Sequence, residues 1–114
     1  MADGIRAKFD TIRELAFGSI LATYAAVGSA TDDTARIIFL GNDSDADVYI
    51  SFDGTNNHIK LKANSFRLLD LTSNRSNWAP LFLGKQVTIY AKRVSGAPTS
   101  GGVWAEITSA DGGR

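Results

Sequence analysis

The sequence predicts an all-β protein, a single antiparallel β-sandwich or jelly-roll-like domain with a short N-terminal arm or helix. From residue 18 onward, short apolar or alternating runs are separated by Gly, Asn, Asp and Ser, which is the pattern of strands joined by turns. The runs recur at regular spacing, as in sandwiches and jelly rolls. The 114 residues are 44% hydrophobic and 21% charged, the balance of one globular domain.

The N-terminal segment, residues 1–16, is predicted to be an arm or a short helix. In KFDTIRELA (8–16) apolar residues recur at three- and four-residue steps, which permits a helix, and an extended arm is the competing interpretation. Its apolar side chains are Ile5, Phe9, Ile12 and Leu15. The sandwich itself is assigned to residues 17–109, and residues 110–114 to a flexible tail, because nothing in that tail can be buried.

Seven runs are expected to form strands. ARIIFLG (35–41) has too many consecutive apolar residues for a strand with one exposed face, so it is interpreted as a central strand. DVYISFD (47–53) and HIKLKA (58–63) alternate strictly. SFRLLDL (65–71) is expected to turn Phe66 and Leu68 inward, together with Leu69 or Leu71, and to keep Arg67 and Asp70 at polar positions. The others are GSILATY (18–24), QVTIYAKR (86–93) and GVWAEIT (102–108), with VSGAPTSGG (94–102) as a hairpin loop. The expected core contains Ile38, Ile50, Phe52, Leu61, Leu68, Ile89 and Ile107.

The overall charge argues against several classes of partner. Twelve basic and twelve acidic residues give a net charge of zero, so no long-range field attracts nucleic acid or an anionic membrane. No apolar run approaches the roughly twenty residues of a membrane span, and charges interrupt the first fifteen residues where a signal peptide would need an apolar stretch. We therefore expect a soluble protein made in the cytoplasm. The absence of cysteine excludes disulfides, thiolate metal sites and a cysteine nucleophile.

The stretch NDSDAD (42–47) imitates the start of a calcium loop, with Asp43, Asp45 and Asp47 at alternate positions. The imitation fails because Val48 stands where the loop needs glycine, and Gly54 where it needs glutamate. Asn, Asp and Ser also hydrogen-bond their own backbone in turns. A hairpin turn is therefore preferred, and neither a metal nor a cofactor is expected.

Catalysis is not expected either. FDGTNNH (52–58) holds the only histidine, His58, near Asp53, but no nucleophile lies in a recognisable motif such as G-x-S-x-G. The segment is interpreted as a tight turn with an exposed histidine at its base.

Four aromatic residues are candidates for a carbohydrate-binding surface: Tyr49, Trp78, Tyr90 and Trp104. Sugars stack on planar rings with amide and carboxylate groups nearby, and the amides of Asn56, Asn57 and Asn77 are candidates. The surface requires these residues on one face. Outward Trp and Tyr side chains also serve as anchors in protein interfaces.

The order of the segments carries a resemblance. AFGSILATYAAVG (16–28), then residues 35–75, which contain NDSDADVYISFDGTNNH, and then GKQVTIYAKRVSGAPTSGGVWAEI (84–107) resemble a group of small virion proteins of tailed bacteriophages. The resemblance covers most of residues 9–107 and implies a single β-sandwich-like domain. It implies a place in the virion, either as a capsid decoration (cement) protein or as a component of the neck or tail.

Three functions follow as alternatives. The first is a structural, non-enzymatic virion protein, most simply a decoration protein that forms a homo-oligomer and binds the major capsid protein. The second is a neck or tail component, and the third is a carbohydrate-binding module on the virion surface. The expected interaction residues are Ile5, Phe9, Ile12, Leu15, Tyr49, Trp78 and Trp104. Assembly is expected to depend on residues 2–16 more than folding does.

Overall fold

In the computed structural model, which describes residues 6–31, 35–70 and 87–111, the chain is an all-β sandwich of two antiparallel sheets. This confirms the fold class expected from the sequence. The strands are β1 (Arg6–Phe9), β2 (Arg13–Ala16), β3 (Ala25–Ala26), β4 (Ala35–Asn42), β5 (Val48–Ser51), β6 (Ile59–Leu61), β7 (Ser65–Asp70), β8 (Tyr90–Arg93) and β9 (Gly102–Asp111), with a 3₁₀ turn at Phe17–Ser19.

Sheet I has the order β1–β9–β4–β7, with β2 following β1 along the same edge of β9. Sheet II has the order β3–β8–β5–β6. Apart from the pairs β1–β2 and β5–β6, strands that follow one another among the described residues lie in different sheets. This repeated crossing between layers is what places loops of the two sheets side by side at the ends of the sandwich.

One apolar core lies between the sheets. β4 and β9 contribute Ile38, Leu40, Val103, Ala105 and Ile107, and sheet II contributes Val48, Ile50, Leu61 and Ala91, all of them at most 2% exposed. β4 pairs with both β7 and β9, as expected for a central strand. Of the predicted core, Ile38, Ile50, Leu61, Ile89 and Ile107 are buried, and Phe52 packs against the core while partly exposed.

The prediction that Phe66 and Leu68 face inward is wrong. Leu69 lies opposite the buried Ile38 in the β4–β7 ladder, whereas Leu68 lies opposite Phe39. Side chains alternate along a strand, so this register turns Phe66 and Leu68 to the outer face of sheet I. They are 68% and 57% exposed.

The predicted strand at residues 18–24 is also wrong. The chain makes a 3₁₀ turn at Phe17–Ser19 and reaches a two-residue strand only at Ala25. This segment carries the chain from β2 in sheet I to β3 in sheet II, and it keeps an isolated backbone bond to β8, from the Arg93 N–H to the Leu21 carbonyl at 2.9 Å. Ile20, which is 2% exposed, still fills the core.

The loops at residues 43–47 and 94–101 likewise cross between the sheets, from β4 to β5 and from β8 to β9. The hairpins predicted at these two positions are therefore wrong. The hairpin predicted at residues 52–58 is confirmed, because it joins the antiparallel neighbours β5 and β6.

The N-terminal segment is extended rather than helical, since β1 and β2 both pair with β9. It is anchored by Arg13, whose side chain is 6% exposed and lies 3.5 Å from the buried carboxylate of Asp10. The guanidinium donates to the carbonyls of Ser29, Thr11 and Ala30 at 2.8–2.9 Å. Gly28, at φ +72°, makes room for the Arg13 stem, because a Cβ there would lie 2.7 Å from the Arg13 Cγ.

Candidate functional site

The carboxylates of the 43–47 loop each bind a different part of the protein. Asp43 accepts a hydrogen bond from the indole N–H of Trp104 at 3.0 Å, and Asp47 accepts one from the backbone N–H of Ala63 at 2.9 Å. Asp45 accepts bonds from the backbone N–H and the hydroxyl of Thr99, which lower the pKa of the Asp45 carboxyl. The three side chains therefore fasten the loop to its neighbours. Among the described residues, no group of three metal-ligating side chains occurs.

The same loop is tied down by the buried Asn42, which is fully inaccessible. Its amide N–H group donates to the carbonyls of Ala46, Leu61 and Lys62 at 2.9–3.2 Å. Its carbonyl oxygen accepts bonds from the backbone N–H and the hydroxyl of Ser44. A buried amide with both ends bonded holds its surroundings in one arrangement, so the crossing from β4 to β5 is rigid.

His58 and Asp53 build the β5–β6 hairpin. Nδ1 of His58 accepts a bond from the backbone N–H of Phe52 at 3.0 Å, and Nε2 lies 3.9 Å from the Asp53 carboxylate. Asp53 also accepts bonds from the backbone N–H groups of Asn56 and Thr55 and from the Ser51 hydroxyl, which hold the pKa of its carboxyl far below the usual value. This geometry gives both residues a structural role in the turn.

The outer face of sheet I carries a cluster of large apolar side chains. The ring centroid of Phe39 is 5.3 Å from that of Phe66 and 5.3 Å from that of Trp104, both in edge-to-face contacts. Leu68 lies opposite Phe39 in the ladder. We call Phe39, Phe66, Leu68 and Trp104 the aromatic patch. A contiguous apolar surface of this kind typically marks an interaction site.

The Trp104 ring is held flat across the backbone of Gly41, directly opposite in the β4–β9 ladder. A Cβ at position 41 would lie 2.0 Å from the indole ring, so only glycine admits the ring there. Because its N–H also bonds to Asp43, the indole is fixed in place before any partner arrives.

A cleft of about 440 Å³ adjoins the patch at Trp104. It is lined by Glu14 and Leu15 of β2, Asp43, and the glycines that precede Trp104. Among the described lining residues there is no basic side chain, and Glu14 is exposed. The cleft therefore presents two carboxylates beside an indole, an arrangement suited to a cationic side chain.

The outer face of sheet II is different in chemistry. Tyr49 lies opposite Lys92 of β8 and Lys60 of β6, and Tyr90 lies opposite Ser51. The Lys92 ammonium stands 4.7 Å from the ring centroid of Tyr24 and 5.9 Å from that of Tyr49. We call Tyr24, Tyr49, Lys60, Tyr90 and Lys92 the tyrosine–lysine face.

The residues predicted for interaction are thus spread over several surfaces. Phe9 is 78% exposed at the β1 edge, Ile12 is 45% exposed, and Leu15 packs against the core. Tyr49 and Trp104 lie on opposite sides of the sandwich, so they cannot form one sugar platform. Ile5 and Trp78 lie outside the described residues.

Sequence reasoning missed Phe39, Phe66 and Leu68 on one face, and Tyr24 and Lys92 on the other. For Phe66 and Leu68 no local signal was sufficient, because the run SFRLLDL fits either facing and only its pairing with β4 decides. For Lys92 the sequence did contain a usable signal. The alternation of apolar Ala91 with charged Lys92 indicates that Lys92 lies on the outer face of its strand.

Comparison with protein-family models, curated proteins and solved structures gave no match. Among the described residues, no helix is long and apolar enough to cross a membrane.

Proposed function

We propose that this chain is a non-catalytic structural protein of a bacteriophage virion, most simply a capsid decoration protein that docks through the aromatic patch of sheet I. The observation that carries the docking role is the exposure of Phe66 and Leu68 beside a fixed Trp104. The virion setting is supported by the resemblance in segment order. Attachment at the neck or tail is the alternative place for the same docking surface.

The partner surface is inferred from the chemistry of the docking face. It should present aliphatic or aromatic side chains to the patch, with a lysine or arginine placed to enter the cleft between Glu14 and Asp43. An interface of this kind has an apolar centre and a charged rim, in which the charges set orientation more than affinity.

The binding free energy gained by burying the aromatic patch is modest for one subunit. Fully burying a side chain the size of Leu or Phe is worth about 1.5–3 kcal/mol, and Phe66 and Leu68 retain 68% and 57% of their exposure for a partner to cover. Together they offer about 2–4 kcal/mol before ordering costs. A homo-oligomer that engages several neighbouring capsid sites would gain through multivalency, which agrees with the proposed decoration role.

The proposal is tested by particle binding. Purified protein is mixed with capsids of the encoding phage that lack it, and co-sedimentation is measured for the Phe66→Gln/Leu68→Gln variant. Leu21→Gln is the matched control, since Leu21 is 51% exposed outside the patch. We expect the patch variant to lose binding while its circular dichroism is retained, and the control to bind normally. If the patch variant binds as well as the control, the docking face is wrong.

The virion setting has its own test. Mass analysis of purified particles should detect this chain, and its absence from mature virions would exclude the structural role. Detection of this chain only in isolated neck or tail assemblies would favour attachment at the neck or tail over the capsid surface.

The cleft is tested by Glu14→Gln. The substitution should weaken binding at low salt and reduce the salt dependence of binding, because one carboxylate facing the cationic group is lost. An unchanged salt dependence would show that the partner places no basic group in the cleft. The proposed role of the aromatic patch would not be affected by that result.

A further inference from the structure

The tyrosine–lysine face has a central ammonium group, that of Lys92, which forms no ion pair with a described carboxylate. Lys92 lies over Tyr24 and beside Tyr49, and neither Lys92 nor Lys60 has an ion pair within the described ranges. The carboxylate of Asp53, in the neighbouring hairpin, accepts bonds from its own turn, and its ion-pair contact among the described residues is with His58, not with Lys92. The positive charge of this face is therefore available to a ligand.

The hairpin loop adds oriented polar groups to the same face. The Tyr24 hydroxyl donates to the side-chain oxygen of Asn57, which leaves the Asn57 NH₂ group without an acceptor among the described residues. Burial, the negative charge of Asp53 and the neighbouring Tyr49 raise the pKa of Tyr24, so its hydroxyl remains a donor at neutral pH. The loop is thereby held against the sheet, and its geometry exists before a ligand binds.

The available groups define the ligand class. Ammonium and amide N–H groups are donors only, so the ligand must be rich in acceptors and negatively charged. The half-buried tyrosine rings provide a flat apolar surface beside them. Two lysines on a chain with no net charge do not amount to the basic stripe that a nucleic-acid backbone requires. A single sugar ring with one carboxylate fits the number and kind of these groups better.

We propose that the tyrosine–lysine face binds an acidic sugar residue, with its carboxylate at Lys92 and its ring against Tyr49. Asn57 donates to a ring hydroxyl, and Lys60 lies at the margin of the site. This binding does not depend on the docking of sheet I, because the two faces are on opposite sides of the sandwich. The same protein therefore has one surface for assembly and another, turned away from it, for a glycan.

The test uses the full chain free in solution, so its result is independent of particle binding. Isothermal titration is carried out with a short oligogalacturonate, with its methyl ester, which is neutral, and with a single-stranded oligonucleotide. We expect binding of the oligogalacturonate, with affinity lowered by about tenfold or more for the methyl ester. Lys92→Gln should cause a similar loss. Equal or tighter binding of the oligonucleotide would overturn the sugar assignment in favour of a general polyanion site.

Arg67→Gln is the matched control, because it removes one positive charge from an exposed position in sheet I. It should leave the affinity for oligogalacturonate unchanged. Equal losses for Arg67→Gln and Lys92→Gln would show that net charge alone drives binding, and the proposed site would be rejected. No heat and no chemical-shift change at Tyr49 or Lys92 with millimolar oligogalacturonate would also reject it.

Discussion

Replacing Arg13 with methionine should destabilise the protein severely, although Arg13 lies in a short strand near the sandwich edge. The substitution leaves the Asp10 carboxylate, whose side chain is 0% exposed, without its cation. It also removes the donor from the carbonyls of Ser29 and Ala30. Removing one partner of a buried ion pair typically lowers the free energy of unfolding by about 3–5 kcal/mol. With a urea m value of about 2 kcal/mol/M, the unfolding midpoint should fall by about 2 M.

The assay is equilibrium urea unfolding followed by circular dichroism for Arg13→Met, Asp10→Asn and the double variant. The double variant should be more stable than the sum of the single losses predicts, because removing both charges leaves no unpaired carboxylate. Arg13→Lys should recover only part of the loss, since an ammonium cannot donate in the planar fork that reaches two separate carbonyls. A loss below about 1 kcal/mol for Arg13→Met would refute the reasoning, because the site would then be hydrated.

Three further predictions concern the loops and the outer face of sheet I. Gly41→Ala should cost about 1–3 kcal/mol and shift the NMR resonance of the Trp104 indole N–H, because the added methyl group displaces the ring; an unmoved resonance would contradict the packing. Asn42→Ala should cost at least about 2 kcal/mol in thermal unfolding, whereas Asn57→Ala, at an exposed position, should change stability little; similar losses for both would argue against the buried network. Asp53→Asn should lower the free energy of unfolding at pH 7 and make that free energy decline less steeply in acid. The pKa of Asp53 in the folded state lies below the ordinary 3.8. The stabilisation by Asp53 is therefore complete above about pH 5 and is lost as the pH falls. An equally steep decline in wild type and variant would assign the acid sensitivity to other groups.

The fold class could be predicted from the sequence because period-two alternation and turn residues are local signals. The runs around Ile38, Ile50 and Leu61 alternate or lie in a continuous apolar stretch, and all three residues are buried. The layer to which each strand belongs is not local. Nothing in NDSDAD distinguishes a hairpin from a crossing between sheets, because Asn and Asp suit both.

The candidate site was largely beyond sequence reasoning for the same reason. In SFRLLDL, both facings bury a leucine, so the choice rests on the β4–β7 register. Trp104 was expected to point outward, and it does. Its place in the aromatic patch depends on Gly41 and Phe39, which belong to a strand more than sixty residues earlier in the chain.

The pairing of β1 and β2 with β9 has a consequence for how the protein is made. Arg6 is opposite Asp111 and Arg13 is opposite Ala105, so β1 and β2 are partnered with a strand that is translated about ninety or more residues after them. Contacts between residues so distant in the sequence form slowly, because closing a long loop costs conformational entropy before the contacts can stabilise the fold. Sheet I therefore cannot be completed until β9 has been translated. Until then β1 and β2 are unpaired edges exposed to other nascent chains, and a slower C-terminal half of translation would lengthen that interval.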